Sequence, residues 1–213
     1  IVSGDFYWIK KIDGKLIIAV VDCTGHGVPG AFMSLIGHVA LSNIISWRMI
    51  HSAEEILEQL HLAVIRALRQ QKTHNKDGMD MGLVVIDKES NTMEFAGAMN
   101  PLVYIQDGEM NLIKGVRRGI GGTYLFSRNK YQKHVVDISK PTSFYLYTDG
   151  FQDQIGGKSQ DGKKFMAKMF RDLLLEVHEL PAEQQMELIK EKLKSWKGDH
   201  EQTDDILVFS GKI

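Results

Sequence analysis

The sequence predicts an α+β fold in which helices are layered on antiparallel sheets. Extended segments are joined by two-residue Asp-Gly turns, as at Asp13-Gly14 and Asp107-Gly108, and strands joined that tightly must run antiparallel. Helical segments come in pairs between stretches of strand, so whole helix layers cover whole sheets. A chain of 213 residues has room for this, since at that size about 70% of the unfolded surface can be buried. No fixed-period repeat or low-complexity linker interrupts it, which points to one domain over residues 1–213.

Taken in order, Phe6 to Ile12 is rich in aromatic and branched residues and Leu16 to Val21 is apolar, giving a first hairpin about Asp13-Gly14. Pro29 and Gly30 are tolerable only in the first turn of a helix. From Ala31 onward Phe32, Leu35, Ile36, Val39, Ala40, Ile44 and Trp47 recur at helical spacing. Ser52 with Glu55 forms a capping-box pattern for a second helix reaching Gln71. Short extended runs follow at Met81 to Ile86, Thr92 to Ala96, Leu102 to Ile105, Met110 to Ile113, Val135 to Ile138 and Phe144 to Thr148. The chain then turns helical over Phe165 to Val177 and Pro181 to Trp196, and closes with a strand over Thr203 to Phe209.

Composition removes several functions. With 26 basic and 27 acidic residues and a net charge of -1, there is no basic field for nucleic acid or anionic lipid. A single cysteine, Cys23, rules out an internal disulfide framework. Wholly apolar runs are only a few residues long, and no membrane span is expected within this stretch. The first residue is Ile1 rather than Met. We expect a cytoplasmic, C-terminal piece of a longer sensor protein that upstream segments anchor to a membrane.

Gly25-x-Gly27-x-x-Gly30 has the spacing of a dinucleotide fingerprint, but its context is wrong. The preceding strand belongs to a hairpin rather than a crossover unit, and Ile44, Ile45 and Ser46 stand where a ribose-binding acid would be. The aspartates are more telling. Asp5 heads the first strand, Asp22 ends the second, Asp149 ends Phe144–Thr148, and Asp204 and Asp205 precede the last strand. If those ends meet, the carboxylates repel one another until protons or cations neutralise them. All-oxygen ligation suits Mg²⁺ or Mn²⁺, and a pair of such ions suits phosphate-ester hydrolysis. The competing reading is turn chemistry, to which Asp13, Asp107 and Asp161 are assigned.

Four stretches, in order, resemble the SpoIIE-type bacterial branch of the PPM (PP2C-like) phosphatases. They are Gly4-Asp5-Phe6-Tyr7, Asp22-Cys23-Thr24-Gly25-His26-Gly27-Val28-Pro29-Gly30-Ala31, Tyr147-Thr148-Asp149-Gly150 and Thr203-Asp204-Asp205-Ile206. Asp77-Gly78-Met79-Asp80, Ala96 to Pro101, Ile120-Gly121-Gly122 and Asp153 to Gly157 support the match, which runs almost end to end. The nearest flavour is the SiaA-like subgroup of sensor output domains. The resemblance implies an αββα sandwich and removal of phosphate from phosphoserine or phosphothreonine of a small STAS-type regulatory protein, in bacterial partner-switching signal transduction.

It further implies that Asp22 bridges two Mn²⁺ or Mg²⁺ ions, that the Cys23 carbonyl completes one site, and that Asp5, Asp149 and Asp204 serve the other. A hydroxide between the ions is then the nucleophile, with Asp22 and Asp149 acting through it. Asp205 is a second ligand or orients Asp204, and Asp80 helps hold a third ion or merely solvates a loop. His26 either protonates the leaving oxygen or shapes the Gly-rich turn through a hydrogen bond. Cys23 is not a nucleophile, because no basic partner lies nearby. His38, His51 and His61 sit on helices without metal spacing, and the methionines fill core gaps. The helix pair after the Gly-rich turn is where upstream segments would press on the metal-bearing turn, and pairing of two domains in the intact protein is a further expectation. The chain departs from the family at Ala98-Met99, where relatives carry a histidine, and at Ile206-Leu207, where a hydroxyl is lost; neither Lys10 nor Lys11 replaces the phosphate-holding arginine of eukaryotic members. The alternative class is a catalytically weak module of the same fold that binds a phosphoprotein without hydrolysing it.

Overall fold

The computed structural model describes residues 3–122, 129–157 and 162–213. Strands β1 (Phe6–Ile12) and β2 (Lys15–Cys23) form the expected hairpin, with Phe6 opposite Val21 and Ile12 opposite Lys15. Asp13 and Gly14 both take positive φ, 48° and 76°, the left-handed pair that matches strand twist. The same device closes β5 (Leu102–Gln106) on β6 (Glu109–Ile113) through Asp107 and Gly108, at 50° and 77°. The third turn residue of that kind, Asp161, lies outside the described residues.

Antiparallel pairing continues from β2 to β3 (Gly78–Asp87), to β4 (Thr92–Ala98) and to β8 (His134–Asp137), with the short β7 (Ile120–Gly121) added at the start of β3. The second sheet runs β12-β9-β5-β6, where β9 is Thr142–Tyr147 and β12 is Val208–Lys212. A small ribbon pairs β10 (Ile155–Gly156) with β11 (Lys163–Lys164). Helices α1 (Gly27–Ser42) and α2 (Ala53–Ala67) cover the first sheet, and α4 (Ala167–Val177) and α5 (Ala182–Lys197) cover the second. One short helix, α3 (Gly150–Asp153), follows β9.

The period-2 geometry of strands divides the core. Ile17, Ala19 and Val21 of β2 face Leu41, Ile56, Leu60 and Val64 in the helix layer. Their neighbours Ile18 and Val20 face Phe144, Leu146 and Leu102 between the sheets. On the far side Val103, Tyr145 and Tyr147 pack on Phe170, Leu174 and Ile189. The four layers are therefore helix, sheet, sheet, helix, as the resemblance implied.

The structure corrects several element boundaries. The second part of the Gly-rich segment, from Gly27 to Gly30, is the first turn of α1 itself, and the helix passes at Asn43–Trp47 into a π-helical turn. The capping box does not form: the Ser52 hydroxyl donates to Glu54 Oε2 at 2.6 Å, and the Ala53 N–H is capped from β4 by Glu94 Oε2 at 3.2 Å. The last strand starts later than expected, because Leu207 donates its N–H to the Thr148 hydroxyl (3.0 Å) instead of a ladder carbonyl. By length and composition alone, Gly27–Trp47 could cross a membrane, with mean hydropathy 1.5, so the short-run argument did not exclude one. Here the segment packs through Gly30, Met33, Gly37 and Leu41, while Val28, Phe32, Leu35 and Val39 are exposed.

Candidate metal centre

The ends of five strands meet at one edge of the sandwich. In the hairpin register Asp5 precedes the Phe6–Val21 pair and Asp22 follows it, so the two carboxylates share one end. Asp22 stands directly opposite Asp80 in the β2–β3 ladder. Asp149 follows β9, which pairs with β12, and thereby comes close to Asp204. Asp22 feels the charges of Asp5, Asp149, Asp204 and Asp80. The acids at these strand ends thus lie within electrostatic reach of Asp22.

Local chemistry shapes this edge. Gly25 and Gly27 take positive φ of 86° and 65°, and a Cβ on Gly30 would stand 2.5 Å from the Gly25 carbonyl oxygen. Gly30 thus serves close backbone approach, and the dinucleotide reading fails because β2 pairs antiparallel with both β1 and β3, with no parallel crossover unit. A Cβ on Gly4 would stand 3.2 Å from the Cys23 carbonyl oxygen, which places that carbonyl beside Gly4, the residue before Asp5. Gly4 donates its N–H to Asp205 Oδ2 at 2.8 Å, and the Asp205 N–H donates to Asp204 Oδ1 at 2.8 Å. Asp205 therefore ties the two ends of the chain together.

Electrostatics show what the cluster lacks. Burial pushes the Asp22 carboxyl up to about 8, aided by Asp5, Asp149, Asp204 and Asp80. Burial raises Asp5 to about 6 against the hydrogen bond from Thr148, with Asp205 and Asp204 adding to the rise. Asp80 also goes up to about 6, by burial and then Asp149, and Asp149 is raised by burial and then Asp204. Asp5 Oδ2 is buried with no hydrogen-bond partner. These are oxygen donors that need positive charge, the donor set of hard divalent cations. Among the described residues no three acid, histidine or cysteine side chains already close into a metal-binding group; Mg²⁺ keeps several waters and is held through few direct carboxylates, so an open ring of acids fits it.

A pocket of about 230 Å³ opens here, lined by Asp22, Thr24, Lys76, Asp80, Gly78 and the Gly119–Gly122 wall among others. A larger, more apolar cleft of about 410 Å³ lies between α5 and β12 and carries no acid. Two participants were underweighted in the sequence. Asp80 faces Asp22, and the wall formed by Gly119 to Gly122 is held by α2 and the turn after it: the Gly121 N–H donates to His61 Nδ1 at 2.9 Å and the Gly122 N–H to Gln70 Oε1 at 3.0 Å. Asp77-Gly78-Met79-Asp80 and Ile120-Gly121-Gly122 were the available signals.

Two expectations about individual side chains change. His26 is exposed and among the described residues makes no side-chain hydrogen bond, so it does not shape the turn that way. His61 is buried rather than partly exposed. The Cys23 thiol is pushed far up by burial and then by Asp22 and Asp5, which agrees with an inert thiol.

The SpoIIE family model (Stage II sporulation protein E) matches residues 12–212. The SiaA-PP2C domain of Pseudomonas aeruginosa is 34% identical at a TM-score of 0.87, covering 100% of this chain and 81% of that one. RsbX in complex with magnesium is similar in fold, at 19% identity and TM-score 0.63, over 99% of this chain and 87% of that chain. So is the PP2C phosphatase domain of Bacillus subtilis SpoIIE with a fragment of its regulatory domain, at 14% and 0.73, over 99% and 58%. Among curated proteins no sequence matches the chain. Fold, order of motifs and family match agree, and the chain belongs to the SpoIIE family, as a PP2C-like phosphatase domain.

Proposed function

We propose that this domain is a divalent-metal-dependent protein phosphatase that acts on phosphoserine or phosphothreonine of a small STAS-type regulator in a partner switch. The observation that carries the reading is the meeting of Asp5, Asp22, Asp80, Asp149 and Asp204 beside a pocket of about 230 Å³. Two Mg²⁺ or Mn²⁺ ions, when bound, would offset the crowded carboxylates, polarise phosphoryl oxygens and lower the pKa of water.

The chain's own part is positioning. Asp22 and the Cys23 carbonyl, together with Asp5, Asp149 and Asp204, would hold the ions. Asp205 fixes Gly4, and through it the direction of Asp5. Thr148 orders the approach to Asp204 by accepting the Leu207 N–H. His26, exposed at the start of α1, is the candidate to hand a proton to the departing seryl or threonyl oxygen.

Hydrolysis of p-nitrophenyl phosphate with Mn²⁺, with and without EDTA, tests the chemistry. Asp22→Ala and Asp149→Ala should each lose about a hundredfold or more in turnover. Candidate phosphorylated STAS-type proteins followed by intact mass test the substrate. Unchanged mass with stable complex formation would favour the binding module instead.

A further inference from the structure

A phosphoryl dianion entering a pocket rimmed by carboxylates is held by positive charge, from bound ions and from any protein cation within reach. Among the residues lining this pocket one is basic, Lys76. Around it the wall is largely glycine, and the amides of Gly78, Gly121 and Gly122 are spent on Thr24 Oγ1, His61 Nδ1 and Gln70 Oε1, at 3.0, 2.9 and 3.0 Å. Those amides form no anion-binding nest. Lys76 itself is exposed, and among the described residues it makes no ion pair.

The other lysines near the acids are already committed or misplaced. Lys164, whose charge reaches Asp149, is paired with Asp153 at 2.7 Å. Lys10 and Lys11 stand opposite Ile17 and Leu16, toward the far end of the hairpin. Lys76 is rooted in the lining that also holds Asp22 and Asp80. A mobile point charge on a flexible stem at that place can meet a phosphoryl oxygen arriving between it and the acids.

We propose that Lys76 is the phosphate-holding residue of this site, pairing with the phosphoryl oxygens of the bound phosphoserine or phosphothreonine. This rests on the phosphatase reading above and adds the substrate contact that the family resemblance left unassigned.

The test is calorimetric titration of the Mn²⁺-loaded protein with inorganic phosphate, beside steady-state kinetics on a phosphoserine peptide, for wild type, K76Q, K76R and the distant control K10Q. K76Q should weaken phosphate roughly tenfold and raise KM by a similar factor, as for loss of one charge-assisted hydrogen bond shared by ground and transition states. Turnover should change less than about threefold. K76R should recover most of the loss, and K10Q should match wild type. Phosphate binding that is equal in wild type and K76Q, or absent from wild type, overturns the proposal. A wild type without hydrolysis whose phosphate binding still depends on Lys76 would overturn the phosphatase reading and leave the lysine's role standing.

Discussion

A hydrogen bond joins the two ends of this chain: Gly4 donates to Asp205 across 201 positions at 2.8 Å. Asp205→Ala removes the acceptor and frees Asp5, so turnover of p-nitrophenyl phosphate should fall about tenfold to a hundredfold, as for other outer partners of metal ligands. Asp205→Asn keeps an acceptor oxygen and should retain more activity than the alanine variant. His61 makes a different prediction. Burial, with the nearby Arg118 charge, holds its imidazole down at about 4 from 6.5, partly opposed by Glu58. The folded state therefore resists a proton that the unfolded chain accepts. Its stabilisation is complete above pH 6.5 and is lost as the pH falls toward 4, by on the order of 3 kcal/mol. The raised carboxylates of the acidic cluster act in the opposite sense over this range, favouring the folded state on acidification, so the reading is a difference: between pH 7.5 and pH 5, urea unfolding should show wild type losing about 2 kcal/mol relative to His61→Gln.

Helix α2 is capped by another element. Glu94 of β4 accepts the Ala53 N–H and is also 3.5 Å from the Lys133 ammonium, so Glu94→Ala should cost about 1 kcal/mol in a denaturant titration. The sequence pattern Ser52 to Glu55 pointed to the right place for the helix start and to the wrong partner, because a carboxylate 41 positions away is invisible to a local motif. The Asp-Gly hairpins at Asp13 and Asp107 were legible for the opposite reason: two positive φ values in succession are a local requirement. The glycines of the first turn of α1 were legible as a motif but not in purpose. Gly30→Ala would press a methyl onto the Gly25 carbonyl and should displace the turn that follows Asp22, with activity lost before stability.

Across the whole molecule, the unbroken apolar run within β2 is that of a strand covered on both faces, and the sandwich itself was legible once the ordered motifs were recognised. Phe144, 1% exposed between the sheets, belongs to the layer that sets their separation. Phe144→Ala should destabilise by about 3–5 kcal/mol, read as a drop in thermal midpoint. Strand topology, rather than any one segment, brings Asp5, Asp22, Asp80, Asp149 and Asp204 together. Asp80 was hard to weigh in sequence because its importance comes from the register that sets it opposite Asp22. The most direct test is a calorimetric titration of EDTA-stripped protein with Mn²⁺, in wild type and Asp22→Asn. The account predicts two ions per wild-type chain and at least about a hundredfold weaker binding in the variant; a wild type that takes up no Mn²⁺, or a variant that binds it equally well, would contradict it.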